Sequence, residues 1–341
     1  MTTQQDVSIG LKKETVYGTP VVVDAFYEFL SEDFAWTPEF TEGSAMRYGK
    51  RVQTAARRVL KKESTDGTLE VEATTKLLGK LFKAALGVGT SMLISGSAYQ
   101  QLFTPAVTDP MPSYTIQKGI PLVGGGAAQP QTMNGMVCSG FELSAGSDGA
   151  VSLKFPFMGR GVDTSTGWAT PSYPAAYEQF DMTAATIKAG VGAVTVPTAT
   201  ALASGGTVVA NVLSVEMTYD SGLDEGGWFI GGTGKRGRRP MLGIRTLTGK
   251  LTAEYDANTF RDAFLAQTNF ALVLHFEHNS IISGAIKPAL QITIPVIRLD
   301  GELPKAVTEG VVTQEIGFTM LDGQVATHPI YVAIVTAETA I

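Results

Sequence analysis

The sequence predicts a mainly β protein made of two tandem domains of one kind, each flanked by a single α-helix. One reason is the alternation of apolar and polar residues in Leu69-Glu70-Val71-Glu72, Val151-Ser152-Leu153-Lys154-Phe155 and Leu290-Gln291-Ile292-Thr293-Ile294. That period of two puts one face of a strand in a core and the other toward solvent or a partner. The second reason is an internal repeat. GTLEVEATTKLLGKLFKAAL at 67–86 lies over GKLTAEYDANTFRDAFLAQT at 249–268, so that Gly67 faces Gly249, Leu69 Leu251, Glu72 Glu254 and Phe82 Phe264 at a constant offset of 182. RRVLKK at 57–62 lies over RPMLGI at 239–244 at the same offset, and SDGAVSLKFPF at 147–157 lies over TEGVVTQEIGF at 308–318 at an offset of 161. The first copy therefore holds about 21 extra residues between its helix and its last hairpin. Two copies are too few for a solenoid and point to a fused pair of subunits.

Composition agrees. A chain of 341 residues, 44% hydrophobic and 17% charged, is long enough for two cores and too apolar for disorder, while 38 Gly and 16 Pro signal many turns. One helix is expected in each copy, over about 75–86 and 257–267, starting after Thr74 and Asp256, whose side chains can accept hydrogen bonds from a first turn. Leu78, Leu81, Phe82 and Ala85, and then Phe260, Ala263 and Phe264, recur at three- and four-residue spacing and make an apolar stripe to lie on a sheet. Segments 87–131 and 189–206, rich in Gly, Pro and Ala, read as long loops or short edge strands. The polar, Pro-containing stretch VDTSTGWATPSYPAAYE at 162–178 reads as a linker. It divides a first domain, 1–161 with an N-terminal arm over 1–25, from a second, 179–341 with a C-terminal tail over 323–341.

Several function classes are disfavoured. GGTGKRG at 231–237 resembles a phosphate loop but fails its spacing, with Phe229 five before Gly234 and Arg236 where Ser or Thr would hold magnesium. His275 and His278 follow Leu272-Val273-Leu274, so they read as strand, where residues three apart point to opposite faces. With three His, one Cys and no nucleophile elbow, no catalytic, cofactor or metal site is expected, and the chain is expected not to be an enzyme. Cys138, next to Met136 and Val137, reads as a buried inert thiol. No apolar run reaches the ~18 residues of a membrane span, and the opening MTTQQDVSIGLKKE lacks the regions of a signal peptide, so a cytoplasm-like compartment is expected.

Charge is segregated. Residues 28–42 hold Glu28, Glu32, Asp33, Glu39 and Glu42 and no base; residues 47–62 hold Arg47, Lys50, Arg51, Arg57, Arg58, Lys61 and Lys62 and no acid. The second copy repeats the order, with Glu216, Asp220, Asp224 and Glu225 followed by Lys235, Arg236, Arg238, Arg239, Arg245 and Lys250. The two basic blocks take 13 of 26 Lys and Arg, leaving 13 bases against 32 acids elsewhere. A surface that acidic repels duplex DNA, so the basic blocks read as protein contacts and not as a nucleic-acid site.

The opening IGLKKETVYGTP at 9–20, the acidic strand FYEFLSEDF at 26–34, RRVLKKESTDGTLEVEATTKLLGKLFKAALG at 57–87 and the hairpin CSGFELSAGSDGAVSLKFPFMG at 138–159 resemble the major tail tube proteins of long-tailed, non-contractile bacteriophages. VLSVEMTYDSGL at 212–223 and GKLTAEYDANTFRDAFLAQ at 249–267 repeat the likeness more faintly. The resemblance implies a β-sandwich with one helix per domain, whose sheets join those of neighbours into a continuous barrel. Stacked rings of such barrels would enclose a channel through which genomic double-stranded DNA passes transiently and without specificity. Partners implied are further copies of the chain, a tape measure protein in the lumen during assembly, and tail terminator and distal tail proteins at the ends. The place implied is the virion tail, assembled in the host bacterial cytoplasm, with no membrane insertion. Single-domain relatives form rings of six, so a two-domain chain could close with three copies; the alternative is a six-copy ring with the second domain outside. A single-ring terminator, distal-tail or capsid decoration protein is the competing role.

On this reading Arg47, Lys50, Arg51, Arg57, Arg58, Lys61, Lys62, Lys235, Arg236, Arg238 and Arg239 are candidate contacts between rings or subunits. Glu32, Asp33, Glu39, Glu42, Glu70, Glu72, Asp220, Asp224, Glu225 and Glu254 are candidates for their acidic partners or for the lumen wall.

Overall fold

A computed structural model describes residues 6–45, 47–49, 51–123, 128–147, 149–190, 194–209, 211–301, 303 and 311–341. The described elements of the first half are β1 (Ser8–Lys13), β2 (Ala25–Tyr27), β3 (Ser31–Glu32), β4 (Ala35–Thr41), β5 (Val59–Glu72), α1 (Leu78–Leu86), β6 (Gly87–Ser95), β7 (Ala98–Pro105), β8 (Tyr114–Ile120), β9 (Gln129–Cys138), β10 (Gly140–Gly146), β11 (Ser152–Gly159) and β12 (Gly161–Asp163). The second half adds β13 (Ala185–Gly190), β14 (Val212–Asp220), β15 (Thr246–Glu254), α2 (Thr259–Ala266), β16 (Phe270–Glu277), β17 (Ala289–Gly301), β18 (Thr313–Met320) and β19 (Tyr331–Thr336). The fold is mainly β, and the strand pairings are antiparallel.

One layer is a run of eight principal strands in the order β4-β5-β11-β10-β14-β15-β18-β17, with β3 beside β5. Its first four members stand in the same order as its last four: two successive antiparallel strands (β4-β5, β14-β15), then a later strand (β11, β18), then the strand that precedes it in the chain (β10, β17). The other layer repeats likewise, β1-β8-β9-β12 in the first half and β13-β16-β17-β19 in the second. Alternation explains the layering. Leu69, Val71, Phe155, Phe141, Tyr219, Leu251 and Phe318 from one layer and Ile9, Ile116, Leu274 and Ile292 from the other share one core. Gly67 and Gly249, counterparts at the offset of 182, both sit where strands crowd. A Cβ at Gly67 would lie 2.5 Å from the Phe34 Cα, and one at Gly249 would lie 2.6 Å from the Glu216 carbonyl oxygen.

Several expectations need correction. Segment 87–131 holds three substantial strands, β6, β7 and β8, and not only loops. The β6–β7 hairpin falls where the first half was expected to hold about 21 extra residues, and β7 pairs with β19 of the second half. Residues 323–341, expected as a tail, contain β19, which is buried along its whole length between β7 and β17. The expected linker 162–178 begins inside β12, and it touches β8 at Gln117, where the Ala169 N–H donates to Oε1 at 2.8 Å and Nε2 donates to the Gly167 carbonyl.

Thr74 does not cap α1. Ala73 and Thr75 are held in extended pairing with Phe180 and Glu178, so the helix starts only at Leu78, after Leu77 at φ 64. Asn258, not Asp256, precedes α2. The two helices also differ in depth. Leu78, Leu81, Phe82 and Ala85 are buried in α1, whereas Ala263 alone is buried in α2. The β6–β7 hairpin lies against α1, and α2 has no such neighbour.

Candidate channel wall and assembly loops

The face of the eight-strand layer that points away from the core is polar, and its register arranges it in rows. One row runs Glu70, Lys154, Glu142, Thr218, Thr248, Thr319, Arg298; the next runs Glu72, Ser152, Ser144, Glu216, Lys250, Gly317, Asp300. With Asp220, Glu254 and Glu315 on the same face, eight carboxylates meet three bases, Lys154, Lys250 and Arg298. Each base is engaged. Lys154 stands between Glu70, 3.7 Å away, and Glu142; Lys250 is 3.7 Å from Glu315 and opposite Glu216; the Arg298 Nε donates to Asn269 Oδ1 at 3.2 Å. The Ser31 and Thr319 hydroxyls donate to Glu70 and Asp300, each at 2.6 Å, and hold those carboxylates in place. These rows are net negative, with Lys154 and Lys250 each beside carboxylates.

Of the expected acidic residues, Glu70, Glu72, Asp220 and Glu254 belong to this face, and Glu225 lines a recess on it with Asp220 and Glu142. Glu32 does not. It is turned inward, 2.8 Å from Lys118 Nζ, and accepts the Phe34 N–H. Asp33 accepts the Thr68 N–H and closes the turn beside β5. Glu142, Glu216, Asp300 and Glu315 were not among the candidates, although Phe141-Glu142-Leu143 carries the alternation that could have found Glu142.

The first basic block forms the outer end of the β4–β5 hairpin, whose connection spans 42–58. Arg47, Arg51, Arg57 and Arg58 are exposed there, and Lys50 lies outside the described residues. Part of its charge is met at once by the acids before it. Lys62 is 2.8 Å and Lys61 3.7 Å from Glu39, and Arg58 is 3.7 Å from Glu42 with its guanidinium over the Phe40 ring. The hydrogen bond from Lys62 holds the Glu39 carboxyl below its ordinary pKa.

The second block folds back onto the first half. Arg236, expected at a contact between copies, is buried within the chain, with its guanidinium 4.4 Å from the Trp228 ring and Nη1 reaching the Met158 sulfur. Lys235 is 3.3 Å from buried Glu63, which also accepts the Trp36 indole N–H at 2.6 Å. Arg239 donates to the Met111 carbonyl and lies over Tyr17, whose pKa burial pushes up to about 12. Arg238 grips Asp224 with two hydrogen bonds, 3.0 and 2.5 Å, which lower the Asp224 pKa from 3.8 to about 2. Separation in sequence hid this docking: Glu63 and Trp228 are 165 residues apart.

Among the described residues, two strand edges of the layer have no partner, β4 at one end and the Arg298–Gly301 end of β17 at the other. Their counterparts in the opposite halves, β14 and β10, are paired with each other. A sheet that ends in a free edge on either side, with one face buried and one polar, is suited to pairing with further copies. A family model of the phage tail tube protein matches residues 4–320. The chain belongs to the phage tail tube protein family. A search of curated proteins returned no match. As a tail tube protein it is a structural component of the virion tail that self-assembles into a tube with other tail proteins. Among the described residues no helix is long and apolar enough to cross a membrane.

Proposed function

We propose that three copies of this tail tube protein close one ring of a siphophage tail tube, that rings stack into a hollow tube, and that the carboxylate-rich sheet face lines the channel conducting DNA during ejection. The observation that carries this reading is the repeated strand order, which supports two copies of one tube domain in a single chain. Where the first domain's β10 meets the second domain's β14, the chain holds one domain-to-domain junction. The leftover edges, β4 and the end of β17, are the counterparts of β14 and β10, so a second junction of the same kind can form between chains. Head-to-tail contacts of this kind close a ring when their rotation permits. Covalent linkage of the two domains replaces half of the bimolecular encounters with intramolecular ones at high effective concentration.

In that ring the outward polar face becomes the lumen. With a screening length of about 8 Å at physiological salt, its negative charge acts on a duplex near the wall and keeps phosphates from adhering. During assembly in the host cytoplasm the same lumen would hold a tape measure protein, with terminator and distal tail proteins at the tube ends. The exposed arginines of the 42–58 connection would reach the neighbouring ring, where charge complementarity sets register. Cryo-electron microscopy of the purified protein tests the reading. Hollow tubes with three chains per ring are expected; six chains per ring, with residues beyond about 180 away from the lumen, would overturn it.

A further inference from the structure

The junction inside the chain is a template for the one between chains, and the template carries a register. β10 and β14 pair with Gly140 opposite Asp220, Phe141 opposite Tyr219 and Leu143 opposite Met217. The Phe141 and Tyr219 rings lie 5.6 Å apart, and both residues are buried. Following the pairings of β5 with β4 and β11, and of β15 with β14 and β18, gives each residue its counterpart in the other domain. Asp220 corresponds to Thr37, Tyr219 to Trp36 and Met217 to Phe34. Through β10–β11 and β17–β18, Gly140 corresponds to Asp300 and Phe141 to Gly301, and counting on two residues past the end of β17 sets Leu143 with Leu303.

We infer that chains join by antiparallel pairing of the β4 edge of one copy with the end of β17 of the next, with Thr37 opposite Asp300, Phe34 opposite Leu303, and the Trp36 indole seated over Gly301. This rests on the ring reading above and names the contact that closes it. Exposure supports the pairing. Trp36 is 47% and Leu303 48% exposed, while their counterparts Tyr219 and Leu143 are 1% and 2% exposed inside the chain. Bulk is exchanged across the pair: two mutually tilted rings within the chain become a larger indole facing a residue without a side chain. Gly301 has φ +116, and among the described residues a Cβ built on it would make only ordinary van der Waals contact, 3.5 Å from the Gly317 nitrogen, with no clash. Large aromatics set in a central pocket are what anchor protein contacts.

This seam bears more weight than its internal counterpart. Within a chain the β10–β14 junction is reinforced by β7 pairing with β19 in the other layer. The second domain has no hairpin between α2 and β16, so nothing equivalent to β7 reaches across to the next copy.

Cysteine pairs read the register directly. The Thr37→Cys, Asp300→Cys chain, assembled and mildly oxidised, should give a ladder of linked chains on a non-reducing gel. Ala35→Cys, Asp300→Cys keeps the same face but sits two residues out of register, at a diagonal of about 7–8 Å, too long for a disulfide. The buried Cys138 thiol, pushed up to about 12, does not compete. Stronger linkage by the 37/300 pair supports the seam; equal or stronger linkage by the 35/300 pair overturns it. The rung count answers separately for the ring: a ladder ending at three chains keeps the threefold reading, and one ending at six removes it while leaving the seam. If the 37/300 chain folds without forming tubes, Trp36→Ala decides. A rise of about tenfold or more in the concentration needed for tubes supports the seam, and an unchanged concentration overturns it.

Discussion

Phe82 and Phe264 occupy the same position in the repeat, yet truncating them should have very different consequences. Phe82 is fully buried, edge-on to Phe141 at 5.2 Å and to Phe155 at 5.6 Å, and tilted against Phe103 at 6.3 Å. Phe82→Ala empties a site walled by two strands of the eight-strand layer and by β7, none of which can collapse onto α1 without breaking pairings elsewhere. Buried Phe→Ala changes cost about 3–5 kcal/mol, and the lost edge-to-face contacts put this one near the top of that range. A loss of about 4 kcal/mol lowers the ratio of folded to unfolded protein by a factor of about 10³. Phe264 lies on α2, half-buried, on a helix in which Ala263 alone is buried. Phe264→Ala removes only part of a side chain's burial and should cost about 1–2 kcal/mol. Urea unfolding of the unassembled protein, followed by tryptophan fluorescence and far-UV circular dichroism, compares the two. Equal losses, or a larger one from Phe264→Ala, would refute the argument that the β6–β7 hairpin is what buries one helix and leaves the other on the surface.

Reversing Arg57 and Arg58 together to Glu should depress tube yield while leaving the circular dichroism of the monomer unchanged. Single exposed pairs contribute under ~1 kcal/mol, so the double change is the fair test, and undiminished yield would count against contact between rings. Asp224 has its pKa lowered from 3.8 to about 2 by Arg238, so its contribution is present above pH 3.8 and disappears as pH falls through about 2. Carboxyl titration by NMR should find Asp224 ionised at pH 3, with the low-pH transition abolished in Asp224→Asn; an ordinary midpoint would contradict the Arg238 clamp. Changing Glu70, Glu72 and Glu142 to Lys should make assembled tubes retain short duplex DNA, releasing it as salt rises from about 50 to about 200 mM. Retention no greater than that of the unaltered tube would argue that this face does not line the lumen.

Alternation along Leu69-Glu70-Val71-Glu72 and its like was enough to separate core face from polar face, because neighbouring strand residues point to opposite sides whatever the partner strand. That local rule made the β class and the polar-face placement of Glu70, Glu72, Asp220 and Glu254 legible, and three- and four-residue spacing did the same for the two helices. Local rules stop where pairing begins. Nothing near Gly87–Pro105 announces that β7 will pair with β19, some 230 residues on, or that the last segment of the chain will fold as a buried strand. The same limit explains Arg236, whose charge suggested a surface contact until Trp228 and Met158 enclosed it, and Glu32, turned inward by Lys118. Periodicity and composition by themselves determined which residues could face a core and which could not. Which strands meet, which charges are spent inside the chain, and which edges stay unpaired among the described residues were decided by tertiary structure, since these depend on distances between residues that the chain order keeps far apart.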